Sequence, residues 1–90
     1  MTPPLAPGTH YLGDDIYIRW DADGRGIIWH HAACRPWATL RFRPDPASTG
    51  HVLVSGSPDD TEHLTISGSL LCPMGCGKHG VIDNGRWKGC

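Results

Sequence analysis

No window of this sequence carries a convincing amphipathic helical stripe, and no apolar run approaches the roughly 20 residues of a membrane-spanning helix. Net charge is also scarce, at −1 over 90 residues, which argues against a protein that grips nucleic acid by bulk electrostatics. Met1-Thr-Pro-Pro-Leu-Ala-Pro-Gly8 has neither a basic start nor an apolar stretch, so no secretory leader is expected and the thiols are expected to stay reduced in a cytoplasm. Long apolar segments are missing too. Twelve glycines and eight prolines split the apolar residues into short runs, and a chain of this size buries only a modest share of its surface. Such a chain needs reinforcement from a metal or from disulfides.

What is present is period-two alternation of β-branched and aromatic residues, in short blocks bounded by Gly, Pro and Asp. The pattern predicts a mostly β fold: a small antiparallel sheet with a zinc knuckle and a C-terminal β-hairpin. Ile16–Trp20 and Gly26–His30 flank Asp21-Ala-Asp-Gly-Arg25 as a hairpin, and Trp37–Arg43 follows as a third strand. Pro44–Gly50 reads as a surface loop. His51–Ser55 and His63–Ser67 are two further strands, and Asn84-Gly85 turns a last hairpin between Gly80–Asp83 and Arg86–Lys88. Residues 1–10 are expected to form a flexible arm, with residues 11–90 a single zinc-stabilised domain.

The chemistry concentrates in Cys72-Pro-Met-Gly-Cys76-Gly-Lys-His79-Gly80, where two thiols and an imidazole fall within eight positions among turn-forming residues. Thiolate and neutral imidazole are the preferred ligands of Zn2+, and a structural site takes four of them in a tetrahedron. The fourth must come from elsewhere, and His30-His31-Ala-Ala-Cys34 offers the same chemistry. His30 and His31 point to opposite faces if they share a strand, so at most one can join the site. The first-choice ligand set is Cys34, Cys72, Cys76 and His79, with His31 as the alternative donor. Gly75, Gly77 and Gly80 are expected to let backbone N–H groups turn toward thiolate sulfur. Cys90 is placed outside the set as a terminal residue, and His10, His51 and His63 are taken as ordinary surface or core histidines.

Leu64-Thr-Ile-Ser-Gly-Ser-Leu-Leu-Cys72, followed by Cys76-Gly-Lys-His79-Gly-Val-Ile-Asp-Asn-Gly-Arg-Trp87, resembles the tail of small zinc-binding Cys-Gly-x-His-Gly proteins encoded by bacteriophages of actinobacteria. The likeness covers roughly the last quarter of the chain, and one extra residue stands between Cys72 and Cys76. It implies a phage protein acting in the cytoplasm of an infected bacterium and binding zinc. An upstream His and Cys pair recurs in such proteins, which favours His31 and Cys34 as partners of the knuckle.

Three function classes follow. An interaction module for a host or phage protein needs only a folded domain with an exposed aromatic and Arg surface. Nucleic-acid binding would use the Arg and Trp residues between Arg19 and Arg43, although Arg alternating with apolar residues is also what the solvated side of a strand looks like. A metal-dependent hydrolase or nuclease would take its general base from His30-His31, but a catalytic zinc must keep a position open for water. A thiol redox role is disfavoured by the three-residue spacing of Cys72 and Cys76. No catalytic residue is assigned.

Overall fold

The structure, a computed structural model, describes residues 8–34, 37–72 and 74–90. It is mostly β, with nine strands and one 3-10 turn among the described residues. Strands β1 (Thr9–Gly13), β2 (Ile16–Trp20), β3 (Gly26–His31) and β4 (Trp37–Arg41) form an antiparallel meander in sequence order. Strands β5 (Val52–Ser57) and β6 (Asp60–Ser67) make a separate hairpin, and β7 (Leu70–Leu71), β8 (His79–Asp83) and β9 (Arg86–Gly89) make a three-stranded antiparallel sheet.

Alternation sets the two faces of the meander. Ile16, Ile18, Ile27, Trp29 and Leu40 turn inward and are buried, whereas Tyr11, Arg19, Trp37 and Thr39 turn outward. Leu64 and Ile66 of β6, Leu70 of β7, Ile82 of β8 and Trp87 of β9 close over that inner face and complete one core. Trp29 stacks on Trp87 with ring centroids 5.7 Å apart and planes 23° from parallel, so the first sheet is packed on the last through two large rings. The second sheet is tied to the hairpin by Gly85 N–H donating to the Leu64 carbonyl at 2.8 Å and Asn84 N–H donating to Thr65 Oγ1 at 3.0 Å.

Both short hairpin turns that matter to the site use left-handed backbone. Asn84 and Gly85 have φ of 49° and 73°, as the predicted two-residue turn demands. Asp14 and Asp15, with φ of 55° and 69°, make the equivalent turn between β1 and β2, and Asp is among the few side chains that tolerate this region.

Two expectations are corrected. Thr9 and His10, assigned to the arm, belong to β1 and pair with Arg19 and Ile18; residues 1–7 of that arm lie outside the described residues. Gly80 does not serve the knuckle backbone. A Cβ at Gly80 would lie 2.6 Å from Trp87 Cε2 and would also strike the Lys88 carbonyl, so glycine is required there for β8 to pass under the Trp87 ring. Gly80→Ala should therefore destabilise the domain by about 1–3 kcal/mol, the usual cost of overpacking. Urea denaturation of the metal-loaded protein checks this, and a midpoint equal to that of the unaltered chain would remove the steric argument.

Candidate metal centre

β3 ends at His31, and the chain turns at once into the 3-10 segment Ala32–Cys34. Asp15 holds that turn. Its carbonyl accepts the Ala32 N–H at 3.1 Å and its carboxylate accepts the Ala33 N–H at 3.2 Å, which satisfies two donors that a short helical turn leaves open. The second half of the site grows from β7. Leu70 is buried and Leu71 exposed, so Cys72 alternates back into the core, where it is buried. The loop after it closes on itself through Cys72 N–H donating to the Lys78 carbonyl at 2.8 Å, and it runs through left-handed Gly75 (φ 74°) and Gly77 (φ 84°). The Gly75 N–H turns to the Cys72 carbonyl at 3.4 Å rather than to a sulfur.

The two halves converge. One ligand atom from each of His31, Cys34, Cys72 and Cys76 lies within 4.8 Å of all the others. His31 Nδ1 is 3.4 Å from Cys34 Sγ and 3.5 Å from Cys76 Sγ. A zinc tetrahedron with Zn–S of about 2.3 Å and Zn–N of about 2.0–2.1 Å has S···N edges of about 3.6 Å, close to these two separations. The four cysteines are free thiols. Three sulfurs and one nitrogen are the donor set that suits a borderline-soft divalent ion, and the chain is able to hold a metal there.

His79, named in the first-choice set, is not part of this group, and His31 stands in its place. The reason is strand alternation. His79 is the first residue of β8 and pairs with Leu71; both are exposed, on the side opposite Leu70 and Gly80. Cys34, Cys72 and Cys76 are brought together as expected. Cys90 is exposed at the end of β9 and outside the group, its N–H donating to the His79 carbonyl at 3.0 Å. His30 faces away from the site and stacks on Trp37.

Sequence reasoning missed the residues that support the donors. Asp15 Oδ2 lies 3.6 Å from His31 Nε2, on the side of the ring away from the sulfurs. A carboxylate there favours Nε2–H and leaves Nδ1 as the free lone pair for a metal, the usual outer partner of a ligating histidine. Asp14 pairs with Lys78 Nζ at 3.0 Å, so the same β1–β2 turn touches both halves of the centre. The only sequence signal was Gly13-Asp-Asp between two alternating blocks, which marks a turn but not its neighbours.

The thiols are electrostatically unequal without a metal. Cys76 Sγ accepts the Lys78 backbone N–H and hydrogen bonds from the neighbouring thiols, which draws its pKa down from 9.0 to about 6. Cys34, hydrogen-bonded to Cys76 and partly desolvated, is pushed up to about 12. No family model, curated protein or solved structure matches this chain.

Two outcomes are expected. In metal-free protein at pH 7, iodoacetamide should modify Cys76 before Cys34, read by peptide mass mapping; equal rates would contradict the inequality of the two thiols. Asp15→Asn keeps a side chain that accepts left-handed backbone but removes the charge, and it should weaken Zn2+ affinity roughly 10- to 100-fold in a chelator competition. An unchanged affinity would show that the carboxylate does not tune His31.

Proposed function

We propose that the chain is a zinc-stabilised β domain that works as an interaction module for a host or phage protein in the cytoplasm of an infected bacterium. The supporting observation is the donor count: His31, Cys34, Cys72 and Cys76 supply four ligand atoms of suitable type and spacing. A tetrahedral zinc with four protein ligands has no position for substrate or activated water, whereas catalytic zinc keeps one open. The ion in this reading cross-links the β3 end to the β7–β8 loop, and its binding energy is folding energy. The hydrolase or nuclease alternative loses its proposed base as well, because His31 is drawn into the ligand group and His30 lies on the other face of β3.

Nucleic-acid binding through the Arg and Trp residues is weakened by the surroundings of Arg41. Its guanidinium is bound by Asp21 and Asp23 at 2.7 Å and by Asp45 at 2.8 Å, so it is not available to a phosphate. The hydrogen bond and charge of Arg41 in turn hold Asp23 down at about 2.

The purified protein should carry about one zinc per chain, and X-ray absorption should show three sulfurs near 2.3 Å and one nitrogen near 2.0–2.1 Å. Cys72→Ser should remove both the metal and cooperative unfolding. A water oxygen bound to the zinc in place of one protein donor would favour the hydrolase instead.

A further inference from the structure

A sheet that does not close on itself leaves strand edges, and an unguarded edge invites a further strand. Most edges of this molecule are guarded. β1 and β5 each carry an irregularity in register, and β1 lies close to β9. β6 is met by the β8–β9 turn, whose Gly85 N–H bonds the Leu64 carbonyl, and β7 is only two residues long. β4 differs from all of these among the described residues. It pairs with β3 in unbroken register from Trp37 to Arg41 and has no strand on its other side. Its single charge, Arg41, is held by Asp21, Asp23 and Asp45 and so does not repel an incoming strand.

The register fixes which backbone groups that edge presents. Phe42 N–H donates to the Arg25 carbonyl at 2.9 Å, so Phe42, Leu40 and Ala38 turn their N–H and C=O toward β3. Thr39, Arg41 and Arg43 therefore turn theirs away. Arg43 N–H donates to the His51 carbonyl at 2.9 Å, whereas the backbone of Thr39 and Arg41 has no partner on that side among the described residues. One rung of an outer ladder is made, and the ladder goes no further. Thr39 and Arg41 line a cavity of about 400 Å³ that is also lined by Leu70 and Leu71 of β7. Cys72 N–H donates to the Lys78 carbonyl, so by the same alternation Leu71 turns its backbone groups away from β8. His51 ties the two walls together, with its carbonyl on Arg43 and its Nε2 3.0 Å from the Ser69 carbonyl.

From this we infer that the outer edge of β4 is a binding site for an extended segment of a partner protein, which adds a fifth strand to the meander and carries apolar β-branched side chains at alternate positions. The backbone specifies an extended chain, since N–H and C=O groups alternating outward along a strand are matched by another strand. The cavity specifies the side chains. Leu40, Leu70 and Trp29 are buried residues that line it, and the residue opposite Trp29 is the small Ala38, so the indole reaches the cavity wall. Every second side chain of the added strand falls on this apolar floor, and the others point outward beside the exposed Thr39. At about 3.3 Å per residue the edge from Trp37 to Arg41 runs about 13 Å, which pairs with roughly five residues. The inference rests on the interaction-module reading and names how the partner is held.

The test uses the zinc-loaded full chain and a capped eight-residue peptide alternating Thr and Val between terminal lysines, followed by amide hydrogen exchange in NMR. The same peptide with its backbone nitrogens methylated at alternate residues is the control, since it keeps the side chains but cannot form a ladder. Without peptide, the Thr39 and Arg41 amides should exchange much faster than those of Ala38 and Leu40; the peptide should slow them about 10-fold or more, and the methylated peptide should not. Thr39→Pro removes an outward N–H, a change edge strands accept, and should weaken binding roughly 5- to 30-fold, whereas Thr39→Ala keeps the N–H and should bind within about 2-fold of the unaltered chain. Zinc content and a cooperative melt show that each variant is folded, and the methylated peptide tests the ladder without any variant. No binding, equal binding of the methylated peptide, or a folded Thr39→Pro of undiminished affinity would overturn the inference. So would slow exchange at Thr39 and Arg41 that grows with protein concentration alone, which would assign the edge to a second copy of the chain. Zinc coordination read on the same samples separates the two levels: a closed site without peptide binding removes this edge alone, whereas an open coordination sphere removes the module reading.

Discussion

The convergence of His31 and Cys34 with Cys72 and Cys76 is the constraint on which the arrangement turns. Three antiparallel units share one core, but each is small, and hairpins of this size are marginal by themselves. A shared set of donors at the end of β3 and the start of the β7–β8 loop brings the first sheet and the last together at a point where neither has strand pairing to the other. The Trp29–Trp87 stack makes the same connection by apolar contact. Trp29 lies two residues before His31, so the two attachments act on one strand. The Trp87 Nε1 is buried and has no hydrogen-bond partner among the described residues.

Support for the donors is built into backbone that had to be unusual anyway. The β1–β2 turn requires left-handed residues, and Asp fills both positions. That choice places one carboxylate on the 3-10 turn and His31, and another on Lys78. A turn with Asn-Gly would close the hairpin equally well but would offer neither charge. The local need for a permissive residue and the remote need for a carboxylate are thus met by the same side chains.

How far the fold could be anticipated follows from how much each element depends on its own residues. Ile16–Trp20 and the Asn84-Gly85 turn were plain in the sequence because alternation and turn chemistry are local signals. The strand β1 was hidden by the proline-rich residues before it, and β7 is only two residues long, existing because β8 pairs with it. Cys34, Cys72 and Cys76 were readable as donors from residue type and spacing. The choice between His31 and His79 was not, because it depends on which face of a strand meets the core, and that is decided by the packing of Gly80 under the Trp87 ring of another strand. The contacts of Asp14 and Asp15 with the two halves of the centre required the three-dimensional arrangement of the strands, which no local pattern encodes.

The meander has a further consequence for how the chain is made. Its four strands pair only with their sequence neighbours, so each hairpin can close soon after it leaves the ribosome. Half of the donors and the ring that covers Trp29 are contributed by residues 72–87, made well after the four strands of the meander. Until they emerge, Trp29 lacks its stacking partner on the inner face of the first sheet, and His31 and Cys34 stand without Cys72 and Cys76. The nascent protein therefore passes through an interval in which part of its greasy side is uncovered, and residues 72–87 end that exposure.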